Sequence, residues 1–255
     1  IVSGNFKIEK SLFKHNRTSK GGAIYIGSNF KIDQTDYPVQ NVVIQDTILE
    51  DNYSSARDGA GAVYIYNTKT FSADKTQFLR NIGSNTSGGA LFINNQGGSG
   101  FYSKAEELGL DYVQVLIQDS IFDGNYAGND GFAIECEDGE LTIKNTHFKN
   151  NVGVRGNGNS VATLSIMQER KTDINIHLVE NCVFESNRGT ASVFGDHGTS
   201  NMEIMFKDTK FIKNIANYNS MLIYSSKVSM ENCTFDQDVA SKFVIDIRPY
   251  LTGDG

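Results

Sequence analysis

Apolar and polar residues alternate through this chain in short runs, and the runs return in a fixed order. A first run leads into a polar residue and then Ser, Thr or Cys: FKIEKS, VVIQDT, SADKT, VLIQDS, LTIKNT, HLVENC, IMFKDT and VSMENC. Two positions later stands a large apolar residue, in turn Phe13, Leu49, Phe78, Phe122, Phe148, Phe184, Phe211 and Phe235. Period-two alternation places these anchors and the preceding Ser, Thr or Cys on one side of an extended chain, read here as the inward side. Three residues further come Asn16, Asn52, Asn81, Asn125, Asn151, Asn187 and Asn214, with Asp238 in the last copy. Asn tolerates left-handed backbone angles and bonds its neighbours, so it suits a corner. Stacked on successive levels, its amides can also bond one another as a ladder. A Gly-rich turn and a last β-forming run complete the unit: AIYI, AVYI, ALFI and AIEC, then TLSI, SVFG, MLIY and FVIDI. In AIEC, Glu135 and Glu137 flank Cys136, which sends Ile134 and Cys136 inward, and by analogy Ile24, Ile26, Val63, Ile65, Leu91 and Ile93.

Such internal repetition settles the architecture before any other feature does. The shortest interval between anchors, Phe211 to Phe235, accommodates three short strands and three turns, one rung of a parallel β-helix. The sequence therefore predicts an all-β chain, a right-handed parallel β-helix solenoid of about eight rungs, its hand taken from the norm of that class. Longer intervals carry insertions, mostly after the third strand: Gly27 to Asn41, Asn94 to Gln114, Met167 to Asn175 and Gly195 to Asn201. These loops are expected on one edge of the solenoid, which marks a candidate binding face. The segment Lys104 to Leu110 can form a short helix there.

Composition agrees with strands: 25 Gly, two Pro (Pro38 and Pro249, both outside the repeated runs) and no Trp. A solenoid also escapes the size limit of a single core, since each repeat buries its apolar face on its neighbours. Residues 1–255 read as one β-helix domain, expected to be a segment of a longer chain because it opens on Ile1 with no leader-like stretch. A net charge of −7 disfavours nucleic acid as a partner, and no stretch approaches a membrane span, so direct membrane insertion is not expected.

The pairing of FxxN with GGA followed by Ile, Leu or Val resembles the repeat of the chlamydial polymorphic outer-membrane proteins and of large protist surface proteins, within the pectin-lyase-like β-helix class. The match is full at Phe13, Asn16, Gly21, Gly22, Ala23 and Ile24, and at Phe78, Asn81, Gly88, Gly89, Ala90 and Leu91. It is partial at Leu49 and Asn52 with Gly61, Ala62 and Val63, and at Phe122 and Asn125 with Gly131 and Ala133; from Asn145 onward the FxxN half persists. The resemblance implies surface display, adhesion or scaffolding without a shared catalytic centre.

Candidate chemistry is sparse. Gly128-Asn129-Asp130-Gly131 and Gly195-Asp196-His197-Gly198 look like degraded pieces of the polygalacturonase diacid turn and histidine loop, but the first holds one acid and the two fall in separate rungs. Neither a catalytic residue nor a cofactor is assigned. The four histidines lack metal-type spacing, so no metal site is assigned either. Cys182 and Cys233 are separated by the Thr209 rung, about 10 Å at ~4.8 Å per rung, beyond disulfide reach; all three cysteines are expected to be free and buried. Asn-X-Ser/Thr sequons occur at Asn16, Asn52, Asn85 and Asn232. Asn85, in a variable turn, and Asn232 are the better glycan acceptors, because Asn16 and Asn52 hold the corner position. Tyr25, Tyr64 and Phe92 occupy equivalent outward positions, a row suited either to stacking on sugars or a neighbour, or to packing beneath the loop Asn94 to Gln114.

The expected function is a non-enzymatic extracellular or cell-surface module, structural or adhesive. Its partners would be proteins or further copies, met at the solenoid ends or the loop-bearing edge, and glycans. The alternative is a carbohydrate-active enzyme or glycan-binding module.

Overall fold

The computed structural model describes residues 4–27, 39–57, 59–95, 112–153, 162–168, 175–198, 202–224 and 226–248. Among these residues the chain is all β, with every pairing between named strands parallel, in an arrangement consistent with a β-helix-like solenoid. Lys104 to Leu110, most of the inserted loops Gly27 to Asn41, Asn94 to Gln114 and Met167 to Asn175, and the end of Gly195 to Asn201 lie outside the described residues.

Three sheets result. The first has eight strands, from Asn5–Glu9 through Thr68–Asp74 and Gly139–Lys144 to Ser226–Glu231, each beside the strand of the next copy. A second sheet of eight three-residue strands, Leu12–Lys14 to Thr234–Asp236, carries the large apolar anchors. In the third sheet each early copy contributes two pieces, a two-residue strand such as Arg17–Thr18 and a longer one such as Ile24–Gly27. The pieces merge in Arg188–Gly198 and Ile215–Tyr224, where the Gly-rich excursion between them has shortened, and divide again into Val239–Ala240 and Phe243–Arg248.

Register explains the core. Phe13 pairs with Leu49, Leu49 with Phe78, and the alignment continues through Phe122, Phe148, Phe184 and Phe211 to Phe235. From Phe78 to Phe235 consecutive rings stack with centroids 4.5, 5.0, 4.7, 5.5 and 4.6 Å apart. Each such contact contributes about 0.5–1.5 kcal/mol beyond the area it buries. Ile24, Ile26, Val63, Ile65, Leu91, Ile93, Ile134 and Cys136 enter the same apolar cluster from the third sheet.

Corners are made by left-handed residues, and here the structure corrects the reading of Asn as the residue that turns the chain. Positive φ falls on the residue before each ladder position: His15, Asp51, Arg80, Gly124, Asn150, Ser186, Lys213 and Gln237. A second set precedes each Ser, Thr or Cys: Lys10, Asp46, Lys75, Asp119, Asn145, Asn181, Asp208 and Asn232. The ladder residues are thereby freed to point inward. Alternation shows which side chains share a face but not which peptide unit absorbs the bend.

The Gly-rich excursions also stack on one another. A Cβ at Gly22 would lie 1.7 Å from Gly61 O, one at Gly61 1.9 Å from Gly89 O, and one at Gly89 1.8 Å from Phe132 O. That close approach of backbone to backbone is why glycine recurs there. In the fourth copy Phe132 takes the position, and its ring fills a slot left by two missing side chains: a Cβ on Gly153 or Gly189 would come within 1.7 or 2.0 Å of it.

Candidate functional site

The most extensive polar construction is a buried file of amides along the corner between the second and third sheets. Each member binds the next: Asn16 Nδ2 donates to Asn52 Oδ1 (2.9 Å), and the same bond recurs from Asn52 to Asn81, Asn81 to Asn125, Asn125 to Asn151, Asn151 to Asn187 and Asn187 to Asn214. The backbone N–H of each member converges on the same oxygen. The second amide proton reaches the carbonyl of the preceding anchor, as Asn125 Nδ2 to Phe78 O (2.9 Å) and Asn214 Nδ2 to Phe184 O (2.9 Å). Asn52, Asn81, Asn125, Asn151, Asn187 and Asn214 are buried, so unpaired amides there would be costly; the ladder satisfies them in series. At its end Asn214 N–H and Nδ2 both donate to Asp238 Oδ1.

Tyr25, Tyr64 and Phe92 do share one register row. Tyr25 meets Tyr64 edge to face (centroids 5.3 Å, 68°), and Tyr64 stacks on Phe92 (5.0 Å, 5°). As an open stacking platform, however, the row is corrected: Tyr25 is 47% exposed, but Tyr64 and Phe92 are 4% and 1% exposed. They pack with Ala60 and Tyr66, and Ala60 belongs to the excursion bridged to Gly21 and Gly88. Residues 96–111, the expected cover, lie outside the described residues; at the edge of that segment Tyr112 Oη accepts a hydrogen bond from Gln168 Nε2 (2.7 Å).

The same row continues from Phe92 to Glu135 and Ser165. Glu135 is 2% exposed. Burial pushes its carboxyl well above the usual range, and the charges of Asp130 and Glu137 add to the rise. Asn94 Nδ2 binds Glu137 Oε2. Sequence alternation assigned Glu135 and Glu137 to the outer side of the strand, but nothing in it showed that this side is covered. Asp196 occupies the row of Cys136 and Ile166, facing the core, whereas Glu135 occupies the alternate row. The two polygalacturonase-like fragments fall in different copies: Asp130 lies in the turn before Ile134–Glu137, whereas Asp196 lies within Arg188–Gly198, two copies further on. Among the described residues no three His, Cys, Asp or Glu side chains group as metal ligands.

A further polar site escaped sequence reasoning. Between Gly139–Lys144 and Asn175–Glu180 the register pairing covers Thr142 to Lys144 and not the first half of the strand. Two side chains bridge the gap: Asn175 Nδ2 donates to Gly139 O (2.9 Å), and Leu141 N–H donates to His177 Nδ1 (3.2 Å). His177 is fully buried, and burial drives its pKa down to about 3. The available signal was a histidine at an inward position of an alternating strand.

The sequons separate clearly. Asn52 is buried with both amide protons engaged, which leaves no room for a glycan on the folded chain. Asn16 is exposed but its amide binds Asn52, and Asn232, also exposed, donates to Asp208 Oδ1 (3.2 Å). Asn85 is exposed in a turn, where its carbonyl accepts from Asn129 Nδ2 (2.8 Å). The cysteines are free; Cys136 and Cys182 are buried, but Cys233 is half-buried, because it lies in the last described copy, with no described strand stacked beyond it.

No helix of the described residues is long and apolar enough to cross a membrane. Comparison of the chain with known families, with characterised proteins and with solved structures yields no match.

Proposed function

We propose that this chain is a structural or adhesive module displayed outside the cell or on its surface, built as a right-handed parallel β-helix of about eight rungs. The observation that carries the reading is the uninterrupted run of one aromatic stack and one amide ladder through successive copies. Such in-register files resist bending and shear, since displacing one rung breaks bonds to both neighbours. This favours a stalk or building block over a module that must open and close. In this reading residues 1–255 form one domain of a longer polypeptide, and further rungs or neighbouring subunits cover its ends. Leu12, Val239, Phe243 and Ile247, more than half exposed in the first and last described copies, would lie beneath such cover. Protein partners and glycans would meet the loop-bearing edge, and Asn85 would be the preferred glycan acceptor.

The test is a paired assay on the native full chain. Antibody labelling of intact cells is expected to detect it at the surface, and incubation with uronic-acid and neutral polysaccharides is expected to release no product. Product formation lost in Asp130→Asn or Asp196→Asn would overturn the reading in favour of a carbohydrate-active enzyme. Labelling seen after permeabilisation alone would remove the surface role.

A further inference from the structure

The amide ladder ends on a carboxylate, and the exchange is not neutral. In each member from Asn52 to Asn214 Nδ2 does two things: it donates to the oxygen of the next copy and to the carbonyl of the preceding anchor. Asp238 accepts from Asn214 through Oδ1, as the series requires (N–H at 2.6 Å, Nδ2 at 2.9 Å). Its other oxygen, Oδ2, then stands where the series places the amide nitrogen, facing the position of Phe211 O. Oδ2 is itself buried and has no hydrogen-bond partner among the described residues. An acceptor thus occupies a donor's place.

We propose that Asp238 is a proton-operated joint of the ladder. With a proton on Oδ2, the carboxylic acid reproduces an amide: Oδ1 accepts from Asn214 while Oδ2–H donates to Phe211 O. Ionised, it sets two oxygens against each other and loosens the last copy, or any oxygen-presenting ladder residue stacked beyond it. The proton comes from solvent and returns there; no other bond changes.

The surroundings act in the same sense. Burial, followed by the nearby charge of Asp236, raises the carboxyl above its ordinary range, against the two bonds from Asn214. Lys213, the corner residue one copy earlier, is exposed. A carboxyl with a raised folded pKa stabilises the fold while protonated, and that stabilisation is lost as pH rises through the folded value.

The experiment compares the wild-type chain with Asp238→Asn, which restores the amide. The side-chain carbonyl carbon of Asp238 is followed by NMR against pH, and hydrogen exchange of Asn214 and Val239 is measured in both proteins. The expected midpoint lies above the ordinary aspartate value of about 3.9. At pH 7 the two amides should be about fivefold or more better protected in the variant, equivalent to about 1 kcal/mol. The ratio should fall toward one below the midpoint. A midpoint at or below the ordinary value, or equal protection at pH 7, would overturn the proposal; should the variant fail to fold, the wild-type titration decides alone.

Discussion

His177 offers the sharpest quantitative test of how the interior is built. Its Nδ1 accepts the Leu141 N–H, so its single proton resides on Nε2, which finds no partner among the described residues. Protonating Nδ1 would drive one N–H against another inside an apolar sheet. The fall from the usual 6.5 to about 3 follows from burial. Between those values the unfolded chain binds a proton that the folded chain does not, so stability is lost as pH falls. Every tenfold difference in proton affinity between the folded and unfolded chain is worth about 1.4 kcal/mol, which gives about 2 kcal/mol lost at pH 5 relative to neutrality and about 4–5 kcal/mol near pH 3. His177→Leu removes the titration but orphans the Leu141 N–H, at a cost of about 1–3 kcal/mol. Urea unfolding of both proteins at pH 7.5 and pH 5 separates these effects. The variant should be the less stable protein at neutrality, and the gap should close by about 2 kcal/mol at pH 5. Parallel pH dependence in the two proteins would refute the buried neutral histidine, as would a nitrogen-15 spectrum showing a charged ring at pH 5.

Three other outcomes follow from particular contacts. Asn125→Ala removes two accepted and two donated bonds in mid-ladder and should cost about 3–5 kcal/mol in urea unfolding; a loss below about 1 kcal/mol would mean the ladder is not closed there. Gly153→Ala should be severely destabilising, since the new Cβ would overlap the Phe132 ring. With Phe132→Ala in the same chain the two losses should fall short of their sum by at least about 1 kcal/mol, a coupling read from a double-mutant cycle on thermal unfolding. Lys75→Gly, at φ 47° in an exposed corner, should raise stability by about 0.5–1 kcal/mol, whereas an equal or lower unfolding midpoint would contradict the left-handed corner.

How much of this was legible in the residues depends on the range of the interaction. Strand order, the inward phase of Ile134 and Cys136, and the alignment of Phe13 with its counterparts follow from a period of two and a repeat, both written along the chain. Position of the bend was not legible: Asn16 and its equivalents are turn-forming residues, yet the neighbours before them take the positive φ. Burial of Tyr64 and Phe92 was one of the two readings that the row left open, whereas burial of Glu135 was hidden, because alternation assigns it to the outer side of the strand without showing that this side is covered. Phe132 reads in sequence as a lapse from Gly-Gly-Ala. In space it fills the gap above Gly153 and Gly189. The Asn175 and His177 bridge was invisible for a similar reason, since a gap in backbone pairing has no residue of its own.

The central claim, that one amide of each copy bonds the corresponding amide of the next, is most directly tested by NMR of the side-chain amide protons of Asn81, Asn125, Asn151 and Asn187. The predicted result is a set of slowly exchanging Nδ2 protons with cross-peaks linking Asn81 to Asn125, Asn125 to Asn151 and Asn151 to Asn187. Rapid exchange with water, or cross-peaks confined to sequence neighbours, would contradict it.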